Sequence, residues 1–159
     1  MTRISSRAAP DHTPGDSSGI ILSPMKKIVR PALIAGVILF IVSYGALYLS
    51  IQFLPFLFVN YINPIFTSEN SRDILFYSHA FVLSFALAWF WQRFKSLFKG
   101  NFVVRGIEFG LVYGAVALVP VMWMTFSSLD VSFIMVLSWL LYGLCQAVVA
   151  GVVFAKVNP

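Results

Sequence analysis

From Pro31 to Ser68 the chain runs 38 residues without one charged side chain. Eighteen or more consecutive apolar residues already mark a segment long enough to cross a bilayer, so this run alone directs the chain into lipid. Composition agrees. Of 159 residues, 59% are hydrophobic and only 11% are charged, against roughly 45–50% and about 25% in soluble domains. With a mean hydropathy of +0.86, the expected fold is all-α and integral to a membrane.

Four transmembrane helices are expected. The first covers about residues 31–53, with Pro31 in its opening turn, where a missing N–H has no partner to lose, and Pro55 closing the far end. The second covers about 74–92, after Glu69, Asn70, Ser71 and Asp73, which suit a helix start. The third and fourth cover about 102–126 and 131–155. Each has twenty-odd residues rising about 1.5 Å apiece, close to the ~30 Å of hydrocarbon. Residues 1–24, rich in Ser, Pro, Gly and Asp, read as a disordered tail. Met25-Lys26-Lys27 looks like a translation start, so the tail is either a genuine extension or lies upstream of the native start. Lys26, Lys27 and Arg30 followed by Ser43-Tyr44-Gly45 also resemble a cleavable signal. The apolar run continues past the 7–15 residues of a signal core, which argues for a retained span.

Charge gives the orientation. Arg3, Arg7, Lys26, Lys27 and Arg30 precede the first span; Arg93, Lys95, Lys99 and Arg105 lie between the second and third; Lys156 follows the fourth. Only Arg72 falls on the other side. Basic residues stay cytoplasmic, so both termini are expected inside, with loops near 54–73 and 127–130 outside. The formal charge of +5 is thereby explained by topology, and no nucleic-acid partner is expected. Trp89, Trp91 and Trp123 fall near the ends of spans and read as interfacial anchors.

Small residues set the packing. Gly106, Gly110 and Gly114 recur every fourth position in the third span, as do Gly143, Ala147, Gly151 and Ala155 in the fourth. Helices in lipid associate through close backbone approach across such ridges. Pairing Gly106 with Gly151, Gly110 with Ala147 and Gly114 with Gly143 keeps one constant index sum and centres the turn between Ser127 and Ser128. A tight antiparallel hairpin of helices 3 and 4 is therefore expected; the rival use of one ridge is a homodimer. Ala80, Ser84 and Ala88, with Ala32 and Gly36, permit a four-helix bundle. Pro120 should kink or loosen the third span.

Polar residues within a bilayer are costly, which makes each a candidate. His79 is a titratable group near the depth of Tyr48 and Trp139, either a relay or a neutral histidine bonded to a neighbouring helix. Gln146 is a helix clamp or the lining of a polar path. Glu108 is expected to pair with Arg105 three residues earlier and to snorkel to the headgroups. Tyr113 and Tyr142 join His79 and Gln146 as possible lining residues. Met122 and Met135 share a depth and, with His79, have the donor types of a Cu(I) site, but methionine is common filler. No metal or cofactor is expected. Cys145 is alone, which excludes an intrachain disulfide, a CxxC pair and a thiolate zinc site. The sequence holds no HExxH, Walker A or GxSxG motif, and no catalytic residue is assigned.

The segments SHAFVLSFALAWFW, RGIEFGLVYG and MVLSWLLYGLCQAVVAGVVFAK resemble small bacterial multi-pass, four-span inner-membrane proteins. That resemblance implies no activity and no site residue. The functional expectation is a non-catalytic structural or accessory component whose partners are the lipid bilayer and either a second copy or a partner membrane protein. The alternative is a small-solute or ion transporter or channel working as an oligomer, with a membrane-embedded enzyme behind it.

Overall fold

Among the described residues, the apolar segments bounded by polar or turn-forming residues become helical rods. The structure is a computed structural model that describes residues 18–56 and 73–159. Helix α1 spans Ser18–Phe53 and α2 spans Asp73–Phe94. The third rod, Phe102–Ser128, consists of α3 (Phe102–Tyr113), a π-helical turn (Gly114–Leu118) and α4 (Val119–Ser128). Helix α5 spans Phe133–Val157. Three helices, Met25–Phe53, Phe102–Ser128 and Phe133–Val157, are long and apolar enough to cross a membrane. Residues 57–72, which make up most of the expected outer loop near 54–73 and include Arg72, and the first 17 residues lie outside the described residues.

Two expectations about α1 need correction. The helix starts at Ser18, so the last residues of the expected 24-residue tail are helical. Extending a nucleated helix costs little per residue, and the helix carries Pro24 within it. Pro31 is consequently deep inside the helix instead of in its first turn. Lacking an N–H, it leaves the Lys27 carbonyl without its usual partner. The carbonyl is satisfied from elsewhere: Asn158 Nδ2 donates to it at 3.1 Å.

Caps and turns follow local chemistry. Gly100 has φ +107, a left-handed conformation that side chains disfavour. The next residue, Asn101, is the N-cap of α3 and accepts from the Val104 N–H at 2.9 Å. Ser132 caps α5 in the same way through the Met135 N–H. Pro120 carries out its expected loosening one turn early: the Val119 N–H bonds the Gly114 carbonyl, five residues back. A wider π turn gives the proline ring room beside the Val116 carbonyl it would otherwise strike.

The glycine ridge of α3 lies directly on α5. A Cβ built on Gly106 would meet Val152 N at 2.4 Å, one on Gly110 would meet Val148 Cγ2 at 2.4 Å, and one on Gly114 would meet Leu144 Cδ1 at 2.9 Å. A Cβ built on Gly151 would in turn meet the Gly106 carbonyl oxygen at 2.6 Å. The facing residue falls by four at each step, one residue beyond the partners expected from sequence. That shift moves the centre of the link from Ser127/Ser128 to Leu129, where α4 has just ended. The α3 ridge is thus packed against α5 of the same chain. Between α1 and α2 the weaker series also packs: Ala32, Ala80, Ser84 and Ala88 are buried, and Gly36 approaches Phe81 and Ser84.

Burial is uneven along the rods. On α1 no described residue beyond Leu39 is buried, and α4 has no buried residue. The core instead gathers where Trp91, Phe98, Phe109 and Phe154 meet, at the end of the molecule that carries the basic residues. Trp91, expected as an interfacial anchor, is fully buried (0%), while its neighbour Trp89 is 53% and Trp123 77% exposed. Helical geometry explains the difference: residues two apart point about 200° from each other, so one tryptophan turns in as the other turns out.

Candidate functional site

The five polar candidates do not converge. His79 is exposed on α2, Glu108 is exposed on α3, and Tyr142 is exposed on α5. Tyr113 is half-buried against the aromatic core at the end of α3. Gln146 is buried, and its Nε2 donates to Ser43 Oγ on α1 at 2.9 Å. The bond joins α5 to α1. Ser84, the other buried polar side chain among the described residues, donates back to the Phe81 carbonyl at 2.8 Å. The expected Arg105–Glu108 ion pair is not formed. Arg105 turns away to lie 5.1 Å over the Trp91 ring, and its Nη2 reaches the Lys95 carbonyl at 3.4 Å. A guanidinium is weakly hydrated enough to prefer an aromatic face over an exposed carboxylate on a flexible stem. Met135 is buried and Met122 half-buried; among the described residues no group of three His, Cys, Asp or Glu side chains is placed to hold a metal.

The most organised polar constellation is one that sequence reasoning missed, at the basic end. Asn158 lies just past α5 and ties three elements. Its backbone oxygen accepts from Trp91 Nε1 at 3.0 Å, and its Oδ1 accepts from Lys95 Nζ at 2.9 Å. Its Nδ2 donates to Gln92 Oε1 at 2.7 Å as well as to the Lys27 carbonyl. Lys95 also donates to the Pro159 backbone oxygen at 2.9 Å. Beneath this layer Trp91 stacks on Phe98 (centroids 5.7 Å, interplanar 7°) and meets Phe109 edge-on at 5.4 Å. Phe154 closes the cluster edge-on to Phe109 at 6.2 Å.

The electrostatics of this end are one-sided. Burial, and then the nearby charges of Lys27 and Arg105, hold the Lys95 ammonium below the usual lysine range. Arg105 Nε is buried and has no hydrogen-bond partner. Two signals for the site were present in the sequence: Trp91 and Lys95 stand one turn apart, and Pro31 frees a carbonyl among basic residues. Neither reveals that Asn158, 131 positions from Lys27, returns to the same place.

No family model, no curated protein and no solved structure matches this chain.

Proposed function

We propose that the chain is a small bacterial inner-membrane protein of four spans, both termini cytoplasmic, that acts as a non-catalytic structural or accessory component. In this reading α2 is the remaining crossing; its 22 residues reach about 33 Å. The third rod and α5 form an antiparallel hairpin, supported by the descending order of their contacts. Arg93, Lys95, Lys99, Arg105 and Lys156 share the end that faces the cytoplasm, as the positive-inside rule requires.

One observation carries the functional part. The buried amide within the spans, Gln146, is bonded to Ser43, while His79, Glu108 and Tyr142 face outward singly. Interior polarity is used to hold helices together, and no polar path joins the candidates.

Two experiments test this. In a Cys145→Ser background, Ser127→Cys is expected to react in intact cells with a membrane-impermeant maleimide, and Lys99→Cys only after permeabilisation. The reverse pattern overturns the topology. For function, Gln146→Leu should lower thermal stability in mild detergent by about 1 kcal/mol, the scale of interhelical hydrogen bonds in lipid, and His79→Ala should change neither stability nor phenotype. If both variants keep wild-type stability yet abolish a growth phenotype of the deletion strain, the accessory role gives way to transport or catalysis.

A further inference from the structure

Glu108 is an acid set among bases. Arg105, expected to pair with it, lies over the Trp91 ring, which leaves Glu108 without an ion pair among the described residues. The other described acidic residues, Asp73 at the start of α2 and Asp130 after α4, belong to the opposite end. Glu108 is exposed, six residues into α3 and so about 9 Å inside the helix end, where an acid facing lipid alone is costly. Arg93 complements it. It is exposed in the last turn of α2, and its guanidinium is laid back over Trp89, 5.3 Å from that ring. Helical side chains lean toward the N-terminus. On these two antiparallel helices Arg93 therefore leans into the span and Glu108 leans back toward the span's entrance. The Phe90–Phe109 ring contact, 5.6 Å between centroids, holds α2 and α3 at matching heights, so the two charges converge on one level.

The two also share a side of the molecule. Gly106 and Gly110 face α5, and Glu108, midway between them in sequence, is turned about 180° from their mean direction. On α2, Phe81 and Ser84 face Gly36 of α1. Arg93 is turned about 150° from their mean direction, and within about 60° of Phe90, the residue that touches α3. Both charges thus lie on the outer face of α2 and α3, away from α1 and α5.

We propose that this α2–α3 face is the contact surface of a homodimer in which Arg93 of each copy pairs with Glu108 of the other. A two-fold contact is self-complementary: residue i meets j while j meets i. An acid and a base at equal height on one face are the smallest set that meets this condition. Copies inserted the same way are related by an axis along the membrane normal, which preserves height. The charge pattern selects a second copy of the chain over an acidic headgroup, which Glu108 would repel. Phe94, Val104, Leu111 and Val112 are exposed on the same helices. In lipid, close packing and polar bonds between helices drive association, and the partner's base gives Glu108 the counter-charge its own chain withholds.

The inference rests on the membrane reading but not on which end is cytoplasmic, so a reversed maleimide pattern leaves the dimer standing and a failed dimer leaves the topology standing. The test uses the full chain carrying either of two tags, co-expressed and purified in mild detergent, with native mass spectrometry for the mass. Wild type is expected as a dimer. Arg93→Glu and Glu108→Arg each create two like-charge contacts per dimer and should weaken self-association by about tenfold or more. Mixed together, the two variants restore both pairs and should co-purify at the wild-type level, which also shows that each is folded. The double charge swap should associate with itself yet fail to capture the wild-type chain. Should a reversed charge prevent accumulation, Glu108→Gln and Arg93→Gln remove a charge without reversing it and should each weaken the dimer about threefold. A wild-type chain that is monomeric both in detergent and in nanodiscs overturns the proposal. So does a double swap that mixes freely with wild type, or single variants that capture their own kind as well as each other. The carboxylate then only snorkels, or pairs within one chain.

Discussion

Gly106→Ala is expected to be the most damaging single methyl addition in the molecule. Its Cβ would stand 2.4 Å from Val152 N and 2.6 Å from Val152 Cα, against the 3.5–4.0 Å at which carbon atoms rest. Both are backbone atoms, so no rotamer change relieves the clash and α3 must move off α5 along its whole seam. Overpacking of this kind costs about 1–3 kcal/mol and occasionally more; the upper end is expected here, and Gly106→Leu should leave no folded protein. The informative result is the gradient. Gly110→Ala meets a Val148 methyl at 2.4 Å as well as backbone at 2.8 Å and should rank second along the ridge Gly106, Gly110, Gly114. Gly114→Ala meets only the tip of Leu144, and Gly143→Ala meets the tips of Leu118 at 3.2 Å. Each is expected within about 1 kcal/mol of wild type, since the clash is offset by the better helix propensity of alanine. Gly45→Ala has nothing within 4 Å and should be neutral or slightly stabilising. Thermal unfolding in mild detergent ranks the five. Equal losses at Gly106 and Gly45 would show that the α3–α5 seam does not hold the protein together.

The second large effect separates two tryptophans two residues apart. Trp91→Ala should cost about 3–5 kcal/mol, as for other large aromatic truncations in a packed core. It removes the stack on Phe98, the edge contact with Phe109, the surface beneath Arg105 and the bond to the Asn158 backbone. Trp89→Ala, at an exposed position, should stay within about 1 kcal/mol. Trp91→Phe isolates the polar part: packing is largely kept, while one hydrogen bond of about 1 kcal/mol and a cation–π contact of about 0.5–2 kcal/mol are lost. Unfolding midpoints in the same detergent decide it. Similar costs for Trp89→Ala and Trp91→Ala would return both residues to the role of membrane anchors and remove the aromatic core from the account.

The seam and the two tryptophans differ in how legible they were. Gly106, Gly110 and Gly114 announce a close approach because their spacing matches the helical repeat, and the second ridge on α5 announces the partner. The one-residue offset between expected and observed pairing is smaller than a helical turn. It has a simple origin: a Cβ on Gly106 would point at the Val152 backbone, whereas one on Gly151 would point back at Gly106 itself. Trp91 was misread because its position in sequence is that of an anchor, at the end of a span next to Trp89. Which of two tryptophans faces inward depends on where α1, α3 and α5 lie around α2, and periodicity within α2 does not contain that information. His79 and Glu108 illustrate the opposite case. Their polarity made them prominent in the sequence, yet each lies on an exposed face, turned away from the other helices of its own chain.

By itself the sequence determined the helical class, the positions of the four rods to within a few residues at most ends, the loosening at Pro120 and the seam between the third rod and α5. All of these follow from short-range regularities: apolar run length, helical repeat, the missing proline N–H. Only the tertiary structure decided the clamp between Gln146 and Ser43, the inward turn of Trp91 and the assembly of Lys27, Lys95, Arg105 and Asn158 at one end. Those depend on residues between 10 and 131 positions apart, brought together by the packing of whole helices, and no local pattern encodes the angle at which one rod lies against the next.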